Sequence, residues 1–142
     1  MSNQLTATAL LVNDKVKFSG TCRDNPEIIV DYLKPVGDGE GYTSLELFLV
    51  SIATCSGTSV LSLLRKMGKD ISGFQVTASG CRRETHPTYF KNIHLNFEIK
   101  SRDVEAEHMD KALKLSEESI CPVWNMVKDN VEVAWSYNII KA

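Results

Sequence analysis

Four cysteines are the residues of this sequence with the widest scope for chemistry: Cys22, Cys55, Cys81 and Cys121. No two of them have the CxxC spacing that is typical of zinc sites and thioredoxin-like redox motifs. Cys121 directly precedes Pro122, which suits the first turn of a helix, and a helix N-terminus favours a thiolate. Cys121 is therefore either a reactive thiol of low pKa or a buried thiol that fills core space.

Cys55 lies inside a predicted helix, where burial alone would raise the pKa of its thiol and make it inert. Two features favour a reactive residue instead. The apolar run that precedes Cys55 gives way to small polar residues, and Gly57 lowers helix stability by about 1 kcal/mol relative to alanine. Close approach of a second chain, of a substrate or of a strand would explain Gly57.

The other two cysteines lie beside arginines. Cys81 precedes Arg82 and Arg83 at the end of a predicted strand, and Cys22 precedes Arg23 in a predicted loop over 20–26. Neighbouring cations lower the pKa of a thiol. A solvated basic edge is nevertheless the simpler explanation for Cys81, and a loop thiol is the simpler explanation for Cys22.

The sequence patterns of metal sites, dinucleotide sites and serine hydrolases are missing. His86, His94 and His108 are scattered along the chain, so we expect no metal site. The glycines of the 35–41 segment lack the GxGxxG spacing of a dinucleotide site, and the GxSxG elbow of a serine hydrolase is missing. We therefore expect neither a cofactor nor a bound metal.

The elements that must position the cysteines form a mixed set. Residues 5–12 and 15–18 predict a hairpin that turns at Asn13-Asp14, residues 27–33 predict a third strand, and 35–41 a flexible connection.

A long helix is predicted to follow. Thr43 and Glu46 have the spacing of a capping box, and the helix should run to about Met67 before Gly68 ends it. Residues 47–53 are apolar on almost every side, which indicates burial against a sheet and a partner subunit.

The second half of the chain predicts strands, helices and a last strand. Residues 74–79 and 131–139 alternate polar and apolar side chains, as does the run that contains Ile93, Leu95, Phe97 and Ile99. His86-Pro87 marks a turn, residues 104–118 an amphipathic helix, and Pro122 the start of a short one. This order is typical of an α+β fold rather than a doubly wound one.

Size and composition agree with one soluble domain over residues 1–142. A net charge of -2 does not favour nucleic acid or an anionic membrane surface as a partner. The first residues lack the basic start and apolar run of a signal peptide, so we expect a cytoplasmic protein. In that reducing compartment the cysteines are not expected to form a structural disulfide framework.

Three segments resemble the OsmC/Ohr family of osmotically inducible and organic hydroperoxide resistance proteins. Residues 47–67 resemble the central helix, where an aliphatic run precedes a cysteine and small residues. Residues 120–125, Ile-Cys-Pro-Val-Trp-Asn, resemble the second cysteine motif. Residues 86–90, His-Pro-Thr-Tyr-Phe, match the less-characterised OsmC-like branch better than the peroxidase branches.

The resemblance implies a fold of antiparallel sheets around a long central helix, in an intertwined homodimer with two interfacial sites. It implies a peroxidase for organic hydroperoxides in which Cys55 attacks and Cys121 resolves. A dithiol would reduce the resulting disulfide. An arginine would hold Cys55 as thiolate, and Arg23 is our candidate because it lies in the region where the family supplies one; Arg82, Arg83 and Lys15 are alternatives. These roles differ from the local argument, which makes Cys121 the more acidic thiol.

One motif departs from the peroxidase members, which carry Pro-Glu before the Leu-Phe of the central helix. This chain has Ser44-Leu45 there, and Glu46 follows. Glu46 and Cys55 lie on opposite faces of a straight helix, about 13 Å apart along its axis. Two alternatives therefore stand beside the peroxidase hypothesis: a thiol redox protein with another substrate, and a small-molecule-binding protein whose cysteines are incidental.

Overall fold

Residues 3–142 are described by a computed structural model, which has two three-stranded sheets and a long helix. This is the predicted α+β class. The strands are β1 (Thr8–Leu11), β2 (Phe18–Thr21), β3 (Ile28–Val30), β4 (Ile71–Arg82), β5 (Phe90–Ser101) and β6 (Glu132–Lys141). The helices are α1 (Ser44–Lys66), α2 (Ala106–Leu115), a π-helical turn (Ser116–Ile120) and α3 (Pro122–Val127).

Two compact units divide the chain, Met1–Phe48 and Leu49–Ala142, and α1 begins in the first and continues through the second. In the first unit β1, β2 and β3 pair antiparallel in that order. The predicted hairpin is confirmed, but its second strand begins only at Phe18. The side chain of Asn13 accepts hydrogen bonds from the backbone N–H groups of Lys15 and Lys17, which places these residues in the turn.

One carboxylate fixes the backbone of the connection between β3 and α1. The structure therefore differs from the flexible segment that the glycines of residues 35–41 predict. Asp31 is 2% exposed and accepts the backbone N–H groups of Tyr32, Asp38 and Glu40 at 2.8, 3.2 and 3.1 Å. Burial favours a higher pKa for Asp31, but these three donors and the charge of Lys17 outweigh it and hold the pKa below its usual range. The carboxylate thus fixes the loop.

Both predicted ends of α1 are confirmed. Thr43 N–H donates to the Glu46 carboxylate at 2.8 Å, and Glu46 N–H donates to the Thr43 hydroxyl at 3.2 Å, which is the reciprocal capping box. At the other end Gly68 has a φ of +78°, and Lys69 N–H returns to the Leu64 carbonyl at 3.1 Å.

The sheet of the second unit is mixed. β4 and β5 pair antiparallel over most of their length, but β6 lies parallel to β5. The expectation of antiparallel sheets is wrong for this pair. The connection from β5 to β6 is a crossover that contains α2 and α3, and a crossover of this length allows the two strands to run parallel. The alternation predicted for β5 is confirmed, with four side chains buried on one face: Ile93, Leu95, Phe97 and Ile99.

The buried face of this sheet shares a core with the helices. The core side chains from the helices are Ile52, Val60, Leu64, Met109, Ala112, Leu113 and Trp124. A Cβ on Gly57 would lie 3.1 Å from Val76 and 3.4 Å from Phe74, so close packing of α1 on β4 explains this glycine.

By length and composition α1 could span a membrane, but its buried face identifies it as the core helix of a small soluble fold. Val50 is 49% exposed, so the single chain does not bury every side of the 47–53 run.

Candidate active site

Cys55 and Cys121 both belong to the second unit. Cys55 is partly buried in the middle of α1, and Cys121 is fully buried directly before α3. Cys55 contributes to the raised pKa of the Cys121 thiol, so the two residues are neighbours in the fold. All four cysteines of the chain are free thiols. Two cysteines that are far apart in sequence therefore share one environment. The order of the helices and strands alone does not predict this.

A distorted end of the amphipathic helix positions Cys121. The predicted helix over 104–118 stops at Leu115 as an α-helix and continues as the π-helical turn Ser116–Ile120. Cys121 N–H donates to the Ser116 carbonyl, five residues back, at 3.0 Å. The Asn125 amide donates to the Cys121 carbonyl at 2.7 Å and to the Ser116 carbonyl at 3.4 Å. Backbone bonds on both sides thus fix Cys121, and Pro122 starts α3 as predicted.

Burial raises the pKa of the Cys121 thiol to about 11. Three smaller effects follow, in decreasing order. The backbone N–H of Trp124 lowers this pKa, Cys55 raises it, and the Ser59 hydroxyl lowers it. The local expectation of an acidic Cys121 is wrong, because desolvation exceeds the help of an N-terminal turn that belongs to a helix of only six residues. At neutral pH Cys121 is a protonated thiol.

Ser59 is the third polar side chain of this cluster, and the sequence argument missed it. It lies one turn after Cys55 on α1, is 7% exposed, and donates a hydrogen bond to the Cys55 carbonyl at 3.2 Å. Its hydroxyl is also one of the groups that lower the pKa of the Cys121 thiol. The signal that could have found it is the four-residue spacing from Cys55, which places both side chains on one face of the helix.

Arg23, the predicted activating residue, belongs to the first unit. It is exposed in the turn between β2 and β3 and has a φ of +55°, in the left-handed region. Its role toward Cys55 stays a prediction.

The alternative cations have partners of their own. Lys15 pairs with Asp38 at 2.5 Å. Arg82 donates to the Thr88 carbonyl at 2.8 Å, and the Arg83 guanidinium lies 4.7 Å from the centre of the Tyr89 ring. The two arginines beside Cys81 thus engage the loop between β4 and β5.

The remaining two cysteines lie on other elements. Cys81 is exposed on β4, opposite Asn92 of β5, and Cys22 is partly buried just after β2 in the first unit.

Two of the scattered histidines have structural roles. His94 hydrogen-bonds to the Ser136 hydroxyl at 2.8 Å, and His108 accepts the Glu105 N–H at 2.9 Å in the cap of α2.

The chemistry open to the cluster is that of an asymmetric dithiol. One thiol is buried with a raised pKa, and the other is partly accessible on a helix. Because a thiolate is the nucleophile in sulfur chemistry, the protonated Cys121 is poorly suited to react first at neutral pH. Where Cys55 reacts first, the adjacent Cys121 can then close a disulfide with it.

Comparisons with known proteins point in one direction. A family model described as OsmC-like protein matches residues 37–136. Protein YhfA of Escherichia coli K12 is 32% identical over 98 residues, which cover 69% of this chain and 73% of YhfA.

Solved structures share the fold over nearly the full length. A hypothetical protein from Aquifex aeolicus VF5 is similar with a TM-score of 0.87 and 27% identity, over 99% of each chain. A Legionella pneumophila protein, described as an organic hydroperoxide resistance protein OsmC and predicted redox protein, has a TM-score of 0.74 and 17% identity, over 95% of this chain and 96% of its own.

Proposed function

The chain belongs to the OsmC-like family, and on that premise we propose that it is a cytoplasmic thiol peroxidase that reduces organic hydroperoxides through Cys55 and Cys121. The observation that carries the proposal is that Cys55, partly buried on α1, lies near enough to the fully buried Cys121 to raise the pKa of its thiol. The description of the Legionella relative as an organic hydroperoxide resistance protein supports the substrate class.

The first step is attack of the Cys55 thiolate on the terminal oxygen of the hydroperoxide. An S–O bond forms and the O–O bond breaks, so that Cys55 becomes a sulfenic acid and the alkoxide leaves and takes up a proton as an alcohol. Cys121 can donate its S–H toward the Cys55 sulfur, which stabilises the attacking thiolate by a hydrogen bond.

The second step converts the sulfenic acid into a disulfide, which a dithiol then reduces. Cys121 attacks the sulfur of the Cys55 sulfenic acid, an S–S bond forms, and the S–O bond breaks with release of water. An external dithiol then reduces the disulfide by two exchange reactions and leaves as its own cyclic disulfide. The sulfur atoms of the protein are thereby returned to the thiol state.

Apolar surface favours an organic substrate over hydrogen peroxide. Ile120, next to Cys121, is 49% exposed, and Met126 on α3 is exposed as well. An alkyl tail that covers such side chains gains about 25 cal/mol per Å² of buried apolar surface. Hydrogen peroxide has no tail and gains nothing from them.

The assembly proposed is a homodimer. Large apolar side chains of the first unit are exposed in the single chain, among them Leu10, Leu11, Ile28, Leu33 and Val36. Exposed apolar patches of this kind mark interfaces. A second copy of the chain would cover them.

A specific observation also favours a second candidate function. The Glu46 carboxylate is used by the Thr43 cap, and Ser44-Leu45 replace the Pro-Glu of the peroxidase members. A thiol redox protein with another substrate would need the Cys55–Cys121 pair but not a peroxidase-type glutamate. A small-molecule-binding protein would need neither.

An assay with purified protein, a dithiol and either cumene hydroperoxide or hydrogen peroxide separates these functions. We expect catalytic loss of cumene hydroperoxide, faster than loss of hydrogen peroxide, which is abolished in Cys55→Ser and retained in the matched control Cys81→Ser. Disulfide formation under a mild oxidant without peroxide turnover would support the second candidate. Neither activity would contradict both redox functions.

A further inference from the structure

The side chain of Asn125 bonds to the backbone on both sides of the junction that carries Cys121. Its amide nitrogen donates to the Cys121 carbonyl at 2.7 Å and, more weakly, to the Ser116 carbonyl at 3.4 Å. Both acceptors are carbonyl oxygens, so only the NH2 end of the amide can face them. Asn125 thus ties the first residue of the π-helical turn to the cysteine that follows this turn.

The position of Cys121 depends on few bonds of this kind. Cys121 lies between the π-helical turn and α3, with extended backbone angles of φ −76° and ψ 111°. A residue between two helical segments belongs to the end of one hydrogen-bond ladder and the start of the next, where backbone groups lack partners within the helix. A side chain that bonds to both segments therefore decides how narrowly the Cys121 sulfur is held.

The backbone bonds at the same place do not need the amide. Cys121 N–H donates to the Ser116 carbonyl at 3.0 Å, and Asn125 N–H donates to the Cys121 carbonyl at 3.0 Å. Both bonds are retained when the side chain is removed. We therefore expect the π-helical turn and α3 to form without the amide, but with a looser junction between them.

We propose that Asn125 is a positioning residue for the step in which Cys121 forms the disulfide with Cys55, an inference that rests on the proposed function. The amide restricts the positions that the Cys121 sulfur can take. Such restriction accelerates a reaction between two groups of one chain, because their orientation is fixed before the reaction begins. The attack of Cys55 on the hydroperoxide does not involve Cys121 as nucleophile and does not need Asn125.

The step balances without any further reactant. The Cys121 sulfur forms the S–S bond with the sulfenic sulfur of Cys55, the S–O bond breaks, and the hydroxide that leaves takes up the thiol proton of Cys121 as water. Asn125 is neither oxidised nor deprotonated. Without its amide, Cys121 samples more positions that cannot reach Cys55, so the disulfide forms more slowly and is less favoured over the two thiols.

Lys128 at the end of α3 supplies a matched control. Its ammonium group donates to the Glu117 carbonyl at 2.9 Å and to the Glu118 carbonyl at 3.5 Å, so it also bonds to the π-helical turn. Lys128→Ala and Asn125→Ala each remove one side-chain donor from this turn. Only the second variant removes a bond to Cys121 itself.

A redox equilibrium tests the inference without any hydroperoxide. Chains in which the two other cysteines are replaced by serine are equilibrated with reduced and oxidised dithiothreitol in varied ratio, and the Cys55–Cys121 disulfide is quantified by alkylation and mass spectrometry. The two protein thiols give two electrons and two protons to the oxidised dithiothreitol in this exchange.

We expect Asn125→Ala to lower the equilibrium constant for disulfide formation about tenfold, which is about 30 mV for a two-electron couple. Lys128→Ala should leave this constant unchanged. An unchanged constant in Asn125→Ala, or an equal decrease in Lys128→Ala, would overturn the proposal. A chain without either substitution that forms no Cys55–Cys121 disulfide at any ratio would overturn the redox pair as well.

Single-turnover kinetics locate the effect in the cycle. After one equivalent of cumene hydroperoxide, Asn125→Ala should form the Cys55 sulfenic acid at the normal rate and the disulfide about tenfold more slowly. Asn125→Leu keeps the size of the side chain and removes only the amide, so it should give the same result and replaces Asn125→Ala if that variant does not fold.

Equal slowing of both steps would overturn the proposal, because it would indicate a merely structural role. If the wild-type chain consumes no hydroperoxide, the proposed function fails, and the equilibrium with dithiothreitol still decides whether Asn125 positions Cys121.

Discussion

The two units of the chain differ in what holds them together. In the unit over 49–142, Leu95, Phe97 and Trp124 are fully buried in one core. In the unit up to Phe48, Leu10 is 65% exposed and Ile28 is 49% exposed, although both lie in strands. The first unit relies on backbone pairing and on the Asp31 carboxylate, whereas the second relies on apolar burial.

This difference explains where the proposed thiol chemistry is placed. A reactive pair needs sulfurs held at fixed positions, and rigid elements hold side chains more precisely than loops. Cys55 lies on the core helix α1, and Cys121 lies between the π-helical turn and α3, both in the apolar unit. The first unit, with its uncovered apolar strands, is better suited to contact a second copy.

The largest expected effect comes from a matched pair of leucines. Leu95→Ala should lower the free energy of unfolding by about 2–5 kcal/mol, because it leaves a cavity in the core. Leu10→Ala removes an exposed side chain and should act through self-association, so that its effect on stability shrinks on dilution as both chains become monomers. Chemical unfolding at several protein concentrations measures both. A loss of unfolding free energy in Leu10→Ala that is equally large and independent of concentration would contradict the difference between the two units.

Alkaline pH should weaken the second unit through Cys121. The pKa of its thiol is raised to about 11 in the folded chain from an ordinary value of 9.0, so the stability it contributes is present below pH 9 and lost as the pH rises toward 11. The loss should be on the order of 2 kcal/mol. Unfolding of reduced protein across this pH range measures it.

Cys121→Ala should remove most of this dependence on pH, and Cys81→Ala should retain it. An unchanged alkaline loss in Cys121→Ala would show that other groups, such as lysines or tyrosines, cause the destabilisation.

Acidic pH should act on the first unit, with a smaller and local effect. The pKa of Asp31 lies below its ordinary value, so the contribution of its carboxylate is present above that ordinary value and lost as the pH falls through the folded pKa. Protonation weakens the bonds from the Asp38 and Glu40 N–H groups. Hydrogen exchange of these two amides, corrected for intrinsic rates, should show protection that falls in acid.

Asp31→Asn should give low protection at every pH, since an amide is a weaker acceptor than a carboxylate. Protection that stays constant with pH in the wild-type chain would show that the loop is held by other contacts.

Periodicity and capping chemistry made much of the fold predictable. The alternation of Ile93 through Ile99 identified the buried face of β5, and Thr43 with Glu46 identified the start of α1. The direction of β6 was not predictable in the same way, because an alternating strand shows the same pattern in parallel and antiparallel pairs. The π-helical turn, whose last bond runs from the Cys121 N–H to the Ser116 carbonyl, likewise has no signal in the sequence periodicity.

The candidate site was predictable in part. The two cysteine motifs identified Cys55 and Cys121, and Cys55 lies near enough to Cys121 to raise the pKa of its thiol. The pKa of Cys121 was not predictable, because its desolvation is a property of the folded core and not of the motif. Ser59 was missed for a related reason: a serine four residues after a cysteine is common, and only the position of Cys121 gives it a role.

The central claim is that Cys55 and Cys121 form one redox pair, and disulfide mapping tests it most directly. Reduced protein is treated with one equivalent of cumene hydroperoxide, blocked with an alkylating agent, digested without reductant and analysed by mass spectrometry. We predict a peptide pair linked through Cys55 and Cys121, with Cys22 and Cys81 alkylated. Recovery of Cys121 as an alkylated thiol beside an oxidised Cys55, or a disulfide that involves Cys22 or Cys81 instead, would contradict the account.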